Sequence, residues 1–497
     1  MAQSRLQYLA SYLHPHRQHV ILGIGTLLLV NILSVWIPLI IGDVVERLKI
    51  TFSPGTIVRY VGLILALATV MWAIRMASRV LIFGVGRKVE FDLKQRIFEH
   101  LLSLEPAYFA ENTIGDLINR ATSDVDNIRR LLGFAVLSLA NTFFAYCLTM
   151  PAMLRINVRL TLVALAIYPI MMLLVGSFSN RLRQEQLDVQ QSLSDLSTLI
   201  QEDMSGIGLI KIYAQETNEQ QAFSQRNNNL LDANLSLART RNTLFPLLGG
   251  LASLSLAIIL ALGARNIAAG TLAVGDFVTL LLYVNNLVFP TALLGFTITS
   301  YQRGEVSVDR IEAIFKAQPK VASVEGARAL PVSEVKGRLQ ATGLTYQYPD
   351  TTTPAIQNVS FTIEPGETVA LVGPIGSGKS TLAKALPRIL EIPTGQLFID
   401  GHDITQVTLP DLRRAIAFVP QDSFLFSTKV KNNLRYGLPL AEMPEIEQAA
   451  KLAQMRGEIL NFPKQYDTLV GERGITLSGG QRQRTALGRA LLIDAPI

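Results

Sequence analysis

The stretch "ETVALVGPIGSGKSTLAKAL", residues 367–386, contains three segments that follow one another directly. The apolar run from Glu367 to Val372 predicts a buried β-strand, and the loop from Gly373 to Ser380 follows it. This loop fits the pattern G-x-x-x-x-G-K-[ST], and the residues after it favour a helix. Strand, loop and helix in this order are the context in which the pattern forms a phosphate-binding P-loop.

Each residue type that this pattern requires has a chemical reason. Gly373, Gly376 and Gly378 let the backbone curl closely enough for successive amides to point at phosphate oxygens, next to a helix N-terminus. Lys379 is placed to contact the β- and γ-phosphates, and Ser380 is placed to bind Mg²⁺. The loop therefore predicts a site for a nucleoside triphosphate with Mg²⁺.

A P-loop alone is compatible with kinases, GTPases and many ATPases, so other motifs must decide between them. The run Leu477–Gln481, Leu-Ser-Gly-Gly-Gln, resembles the signature motif of ATP-binding-cassette (ABC) transporters. Tyr348, in "LTYQYP", resembles the aromatic residue that this family stacks on adenine, and Gln421, in "AFVPQDSFLF", resembles its Q-loop glutamine. The segment Thr468–Gly474 resembles the stretch before the signature in exporters, although Leu469 stands where many members carry an acid.

Each of these matches also has a purely structural interpretation. Tyr348 could be an ordinary aromatic residue of an edge strand, and Gln421 could be a surface turn residue. Ser478 and the two glycines after it suit a helix N-cap, which is compatible with a signature motif. The order and spacing of the motifs favour the functional interpretation.

The resemblance implies that ATP and Mg²⁺ are the cofactors. It implies catalytic roles for Gln421 and Lys379, and Mg²⁺ binding by Ser380 and Gln421. The residues that it implies for ATP binding are Tyr348, Gly373, Gly376, Ser377, Gly378, Lys379, Ser380, Thr381, Gln421, Ser478, Gly479, Gly480 and Gln481.

The N-terminal part of the chain is too apolar for a soluble protein. Hydrophobic residues make up 49% of the 497 residues, and the mean hydropathy is +0.32. Six long apolar runs predict membrane-spanning helices, because hydrocarbon forces each segment to satisfy its own backbone hydrogen bonds. The six predicted spans are approximately 20–41, 60–86, 131–154, 160–180, 242–264 and 277–302. Arg75 and Arg79 interrupt the second span four positions apart, and snorkelling to the membrane surface is the favoured interpretation.

These observations predict a membrane all-α domain of six transmembrane helices with long cytoplasmic extensions, residues 1–302, followed by an α/β P-loop nucleotide-binding domain. A linker over residues 303–334 joins the membrane domain to the nucleotide-binding domain, which comprises residues 335–497. The formal charge of +6 comes without the interleaved basic and aromatic residues typical of nucleic-acid binding. We therefore expect a multi-pass protein in the lipid bilayer of the plasma (inner) membrane, with a cytoplasmic nucleotide domain and no nucleic-acid partner.

Six spans fused to one cassette resemble half of a multidrug or lipid exporter. The resemblance implies a second half-transporter, identical or different, that sandwiches two ATP molecules with this chain and exports a hydrophobic or amphipathic substrate. Two segments resemble the family's coupling regions, Glu111–Asp126 and Ile210–Phe223, which otherwise read as solvated helical hairpins. Polar residues within the spans could bind the substrate or only hold helices together: Asn31, Asn141, Tyr146, Asn285 and Asn286.

In this family the stretch that ends at Ile497 leads into the Walker B strand, with its Asp and the catalytic Glu. Neither residue is present, and no histidine follows the signature. We therefore expect a chain truncated before Walker B, with an incomplete nucleotide domain and doubtful hydrolysis. The alternative to an exporting ATPase is a non-hydrolysing, ATP-binding membrane protein or inactive partner subunit.

Overall fold

The computed structural model describes residues 5–50, 54–349, 351–471 and 477–497. The chain forms two compact units, which we call the helical unit and the α/β unit. The helical unit comprises Met1–Glu99 and Gly115–Lys316, and the α/β unit comprises His100–Ile114 and Ala317–Ile497. The chain thus enters the α/β unit twice, first through a short segment and then through its C-terminal third.

The helical unit is built of long and short α-helices. They are α1 (Arg5–Leu13), α2 (Arg17–Ile50), α3 (Pro54–Ser103, which ends in the α/β unit), α5 (Ile114–Asn119), α6 (Val125–Arg130), α7 (Val136–Ile156), α8 (Val158–Leu165), α9 (Ile167–Ser205), α10 (Ile207–Ile212), α11 (Glu216–Ala268) and α12 (Val274–Lys316). A short helix, α4 (Pro106–Glu111), belongs to the α/β unit. A 3₁₀ turn, His14–His16, joins α1 to α2.

Six helical stretches among the described residues are long and apolar enough to cross a membrane. They are Gln7–Lys49, Pro54–Ser103, Ile114–Ile156, Val158–Ser205, Glu216–Ala268 and Val274–Lys316. Each contains one of the six predicted apolar runs, so the predicted fold class of six membrane helices followed by an α/β domain is confirmed. The helices extend well beyond the apolar runs, as the periodic polar connections predict.

Helix α12 lies at the centre of the helical unit and packs against α2, α7 and α9. Its residues Tyr283 and Leu287 are fully buried. The Tyr283 hydroxyl donates to the Val35 carbonyl at 2.8 Å, and the Tyr168 hydroxyl donates to the Val284 carbonyl at 2.7 Å. Each buried tyrosine therefore has a hydrogen-bond acceptor on a neighbouring helix.

The closest approach of α12 to α2 occurs at a pair of glycines. A Cβ atom added at Gly42 would lie 2.6 Å from the Gly275 carbonyl oxygen, which is closer than van der Waals contact allows. Glycine at both positions lets the two backbones touch, as small residues do at interfaces between membrane helices. The Gly275 amide in turn donates to Glu46 Oε2 at 3.1 Å, which caps the start of α12.

Two π-helical turns interrupt the helix that leads into the third span, at Arg120–Asp124 and Leu131–Ala135. Arg310 of α12 reaches two carboxylates on this helix, Asp116 at 2.5 Å and Asp124 at 3.3 Å. In an uninterrupted α-helix, two positions eight residues apart would differ by roughly 80° around the axis. The wider π turn brings both carboxylates onto the face that meets α12.

The segment predicted as a linker, 303–334, begins as helix, because α12 continues to Lys316. Val308, Ile311 and Ile314 are fully buried along this extension, so it belongs to the packed helical unit. The later part of the segment lies in the α/β unit, where the Arg328 amide donates to the Gln406 carbonyl at 2.8 Å. The predicted linker is therefore helical at its start and hydrogen-bonded within the α/β unit at Arg328.

The α/β unit contains a four-stranded sheet in the order β2-β1-β3-β4, with every pairing antiparallel. Its strands are β1 (Leu339–Tyr346), β2 (Ile356–Ile363), β3 (Leu397–Ile399) and β4 (His402–Asp403). Its further helices are α13 (Lys379–Ala385), α14 (Leu409–Arg414), α15 (Val430–Leu434), α16 (Met443–Leu452), α17 (Arg456–Leu460) and α18 (Gly479–Ile493). The 3₁₀ turns are Val332–Glu334, Arg435–Gly437 and Gln465–Asp467.

The prediction of a buried β-strand over Glu367–Val372 was wrong. The segment forms no strand, and its apolar side chains are exposed, with Val372 at 92%. A strand exists only when a neighbour completes its hydrogen-bond ladder, and none of the described segments lies beside this one. Ile497 instead pairs with another segment: its amide donates to the Ala415 carbonyl at 3.2 Å and its carbonyl accepts from the Ala417 amide at 2.7 Å.

We predict opposite effects for two glycine substitutions within α2. Gly42→Ala forces a methyl group against the Gly275 carbonyl and should destabilise the protein by about 1–3 kcal/mol. Gly25→Ala is the matched control, because nothing lies within 4 Å of its added Cβ, and it should leave stability unchanged or raise it. Apparent melting temperatures of the detergent-solubilised protein, read by size-exclusion chromatography after heating, test this. Equal melting temperatures for the two variants would contradict the close crossing.

Candidate functional site

The P-loop glycines have the backbone conformation that a phosphate cradle requires. Gly376 and Gly378 have φ values of +85° and +87°, in the left-handed region that other residues rarely adopt. A Cβ atom at Gly378 would also lie 2.5 Å from the Ala355 carbonyl oxygen, so no side chain fits there. Gly378 directly precedes α13, and its carbonyl accepts from the Leu382 amide at 2.9 Å. Glycine at 378 is thus required twice, by conformation and by space.

The Lys379 ammonium folds back over the loop. It donates to the carbonyl oxygens of Gly373 and Pro374 at 2.8 and 2.7 Å and lies 3.3 Å from the Ser377 hydroxyl. Phosphate oxygens of a bound nucleotide would replace these three oxygens as partners of the Lys379 ammonium. The next residue, Ser380, is exposed at the start of α13, so its hydroxyl is accessible to a metal ion. A single hydroxyl that shares Mg²⁺ with phosphate oxygens and water suits the way proteins bind this ion.

Tyr348 lies beside the P-loop helix. Its hydroxyl is 3.3 Å from Thr381 Oγ1, and its ring meets the Tyr346 ring edge-on, with the centroids 5.0 Å apart. The residue is half-buried two positions after the end of β1, so it is not simply a side chain of an edge strand. The structure therefore brings Tyr348 together with the predicted residues 373–381.

The signature residues form the N-terminus of α18. The Ser478 hydroxyl accepts from the Gln481 amide at 3.3 Å, and the Gln481 side chain accepts from the Ser478 amide at 2.8 Å. This reciprocal pair is a capping box, so the N-cap interpretation of Ser478 is correct. Gly479 and Gly480 are exposed in the first turn, which leaves their amides accessible to an acceptor outside the unit.

Gln421 is not brought to the P-loop by any hydrogen bond within the described chain. It is exposed at a bend, two residues before Ser423 and five before Phe426. Its predicted roles in catalysis and Mg²⁺ binding therefore remain predictions. The signature residues Ser478–Gln481 likewise make no described contact with residues 373–381, so the predicted site consists of separate parts within one chain.

Sequence reasoning missed a buried network that joins the segment after Gln421 to α18. Asn433 is fully buried, and its side chain bonds both the amide and the carbonyl of Phe426, at 2.8 and 2.9 Å. Arg489 of α18 donates to the Asn433 carbonyl at 3.0 Å and lies over the Tyr436 ring, 5.2 Å from its centroid. Burial lowers the pKa of Arg489 from its usual value. The only signal in the sequence is a polar residue beside apolar ones in "VKNNLRYG".

The segment predicted to precede the signature, Thr468–Gly474, is described only as far as Gly471, and its last three residues lie outside the described chain. The exposed Leu469 forms an antiparallel bridge with Lys429. Next to it, hydrogen bonds from Lys429 and Lys431 lower the pKa of Asp467 to about 2. Because its folded pKa is depressed, the stabilisation from this carboxylate is present above about pH 4 and lost as the pH falls towards 2.

The polar residues predicted inside the spans divide into two groups. Asn31 donates to Asn141 at 3.2 Å, and the Tyr146 hydroxyl lies 2.6 Å from Thr291 Oγ1, so these three bond neighbouring helices. Asn285 and Asn286 of α12 are exposed and make no hydrogen bond through their side chains within the described residues. Among the described residues, no cluster of three or more His, Cys, Asp or Glu side chains could hold a metal ion.

Comparison with known families gives two matches that together cover most of the chain. Residues 20–291 match the ABC transporter transmembrane region, and residues 356–497 match the ABC transporter family that contains the cassette. The first match includes the first five predicted spans completely and most of the sixth. The second match includes the P-loop and the signature.

Curated relatives resemble the chain over most of its length. The multidrug resistance-like ATP-binding protein MdlA of Escherichia coli K12 is 31% identical over 479 residues, which is 96% of this chain and 80% of that protein. The ATP-dependent lipid A-core flippase of Syntrophus aciditrophicus is 32% identical over 84% of this chain and 69% of its own. A probable multidrug resistance ABC transporter ATP-binding/permease protein of Bacillus subtilis, YheI, is 29% identical over 96% and 81%.

We predict that the Tyr348 ring contributes to nucleotide affinity. Tyr348→Ala should weaken the binding of a fluorescent ATP analogue by about 1–3 kcal/mol, because the base loses its stacking partner. Tyr348→Phe keeps the ring and loses only the hydroxyl near Thr381, so it should bind almost as well as the unchanged protein. Fluorescence titration of the purified protein measures both. Equal affinities for Tyr348→Ala and the unchanged protein would remove Tyr348 from the site.

We also predict that Asn433 stabilises the segment between Gln421 and α18. Asn433→Ala leaves the Phe426 amide without its partner, while the Phe426 carbonyl still accepts from the Thr428 amide at 2.7 Å. The unpaired amide should destabilise the α/β unit by about 1–3 kcal/mol. Asn432→Ala is the control, because among the described residues the side chain of this neighbour bonds only the Thr428 hydroxyl, at 3.1 Å. Limited proteolysis, with cleavage sites mapped across 421–497, should show faster cutting for Asn433→Ala alone. Similar cutting in both variants would refute the network.

Proposed function

This chain belongs to the ATP-binding-cassette (ABC) transporter family, and on that basis we propose that it is one half of a dimeric exporter for a hydrophobic or amphipathic molecule. Family membership gives the class of activity, which is ATP hydrolysis coupled to export of a substrate. The chain is a multi-pass membrane protein with six membrane helices. We place it in the plasma (inner) membrane with the α/β unit in the cytoplasm, where ATP is available.

The observation that carries this proposal is the P-loop cradle. Its left-handed glycines, the blocked Cβ position at Gly378 and the lysine folded over the loop all fit a bound triphosphate. ATP binding follows from the cassette itself, and Mg²⁺ is our assignment from the Ser380 hydroxyl. When bound, Mg²⁺ neutralises charge that builds up on the phosphates. Lys379 would orient and stabilise the γ-phosphate, and Tyr348 would hold the base.

The proposed dimer rests on two surfaces that a single chain leaves open. The capped start of α18 exposes Gly479 and Gly480, whose amides suit a phosphate oxygen. In the family that this chain joins, the signature meets ATP held by a second P-loop. Separately, α10 and the residue after it expose Leu209, Ile212 and Tyr213 at 62%, 76% and 68%. An exposed apolar turn of this kind suits burial against a partner subunit.

The two predicted coupling segments differ in how the chain holds them. Glu111 ends α4, and the stretch around α4 is bonded within the α/β unit, where the Lys320 amide donates to Glu105 at 3.1 Å. We propose that this contact transmits closure of the nucleotide site to the spans of the same chain. The second segment, Ile210–Phe223, starts in the exposed α10 and would act on the partner.

For the substrate, the relatives are named for multidrug resistance and for lipid A-core flipping, which are both roles that involve amphipathic molecules. We propose Asn285 and Asn286 as the polar residues that meet the substrate or the partner subunit, because they have no partner among the described side chains. Asn31, Asn141 and Tyr146 hold helices together through the hydrogen bonds described above.

The second candidate is a non-hydrolysing, ATP-binding membrane protein or inactive partner subunit. The two candidates share nucleotide binding and differ in phosphate release. A protein that binds ATP tightly and releases no phosphate, alone or with a partner, would establish the second.

The test is Lys379→Ala in proteoliposomes, with Lys384→Ala as control. Lys379→Ala should lower ATP hydrolysis at least about a hundredfold, because it removes a fixed cation from the transition state. Lys384 is exposed in the last turn of the same helix, so its loss should leave the rate nearly unchanged. If Lys379→Ala released phosphate at more than a tenth of the rate of the unchanged protein, the role of Lys379 in ATP hydrolysis would be refuted.

A further inference from the structure

A cleft of about 400 Å³ lies in the helical unit between α12 and the helix that leads into the third span. Its polar lining consists of three arginines, one asparagine and two hydroxyl residues: Arg129, Arg130, Arg303, Asn127, Thr299 and Ser300. None of these residues belongs to the nucleotide site or to the polar residues predicted for the substrate. The cleft is therefore a separate feature of the membrane part of the protein.

The sequence places these arginines at the edge of the hydrocarbon. Arg129 and Arg130 directly precede the apolar run 131–154, and Arg303 directly follows the run 277–302. The chain enters the membrane after Arg130 and leaves it before Arg303, with four predicted spans in between. Because four crossings return the chain to the side where it started, all three arginines lie at one membrane boundary. Phosphates of lipid headgroups occupy this depth, and basic pockets between membrane helices attract them.

Ion pairs neutralise only part of this charge. Arg129 bonds Asp126 through two nitrogens and lies 3.4 Å from Glu90, so its charge is balanced. Arg130 contacts the same Asp126 only through Nε, at 2.7 Å, which leaves both terminal nitrogens as donors. Arg303 forms no hydrogen bond or ion pair with any other described residue. Two arginines with unused donors therefore face the cleft.

Two aromatic residues complete the lining of the cleft. Phe134 and Phe296 are half-buried and line the cleft on the two helices that form it. Arginine donors beside aromatic rings match a phosphate ester that carries a hydrocarbon chain, because the guanidinium fork binds phosphate oxygens in pairs and the rings cover methylene groups. An inorganic phosphate ion would contact the arginine donors and would leave the two aromatic rings without a contact.

We propose that the cleft binds the phosphate headgroup of an anionic membrane lipid. Arg130 and Arg303 donate to the phosphate oxygens, the hydroxyls of Thr299 and Ser300 contact the headgroup, and Phe134 and Phe296 pack against the first part of an acyl chain. The lipid bridges the third and sixth spans at their shared boundary. This site needs neither nucleotide nor a transported molecule.

Native mass spectrometry of the purified, nucleotide-free protein tests the proposal by titration with dioleoyl-phosphatidylglycerol. Arg130→Gln and Arg303→Gln should each weaken lipid binding about tenfold, the usual effect of losing one charged hydrogen-bonding partner. Arg303→Lys should bind better than Arg303→Gln, since it keeps the charge without the fork. The matched control is Arg183→Gln, because Arg183 is exposed shortly after the fourth predicted span, at the same boundary, and does not line the cleft.

The same titration separates the possible sources of the phosphate. Dioleoyl-phosphatidylcholine, with identical chains and no net charge, should bind weakly and equally to all variants. Inorganic phosphate at millimolar concentration should not displace the lipid, and full displacement would overturn the assignment to a lipid. Equal loss of binding in Arg183→Gln would show a general surface charge effect and also overturn it. Because no nucleotide is present, either failure leaves the ATP site untouched.

Discussion

Hydrocarbon offers a polypeptide no hydrogen-bond partner, and this constraint dictates how the helical unit is built. Several hydroxyl groups within the spans accordingly have an acceptor on the protein. The Thr26 hydroxyl returns to the Leu22 carbonyl at 2.9 Å and the Thr291 hydroxyl to Leu287 at 2.6 Å, each within its own helix. Tyr283 reaches the Val35 carbonyl of a neighbouring helix, which the glycine contact between α2 and α12 brings close. Satisfaction of polar groups and close backbone packing are therefore achieved by the same contacts.

The sequence predicted those features that depend on neighbouring residues alone. Three such features are the long apolar runs, the P-loop glycines and the Ser478 cap. Each depends on the residues of its own segment, and the structure contains all three. Residues 367–372 were assigned wrongly, because β-propensity forms no strand without a pairing segment, and no described segment pairs with this one. The partners of Asn433 are backbone groups, which every residue has, so no pattern of side chains could indicate them.

Within the α/β unit, α18 links two motifs that are far apart in sequence. Its first turn carries Ser478 and the signature glycines, and its later turns hold the segment after Gln421 through Arg489 and through Ile493 against Gly437. A buried side chain at Asn433 fixes the same segment from inside. A helix is stiff along its axis, so a displacement at one end is felt at the other. The position of the signature and the conformation of the Gln421 segment are thus physically connected.

The π turns at 120–124 and 131–135 have a consequence for how this protein can change over evolution. A π turn is an α-helix that has absorbed one additional residue, and the packing of the neighbours hides that insertion. Loss of a single residue there would restore a regular helix and rotate everything on one side of it by roughly 100°. Asp116 would then turn away from Arg310. We therefore expect this stretch to tolerate substitutions far better than changes of length, and related sequences to align here without gaps.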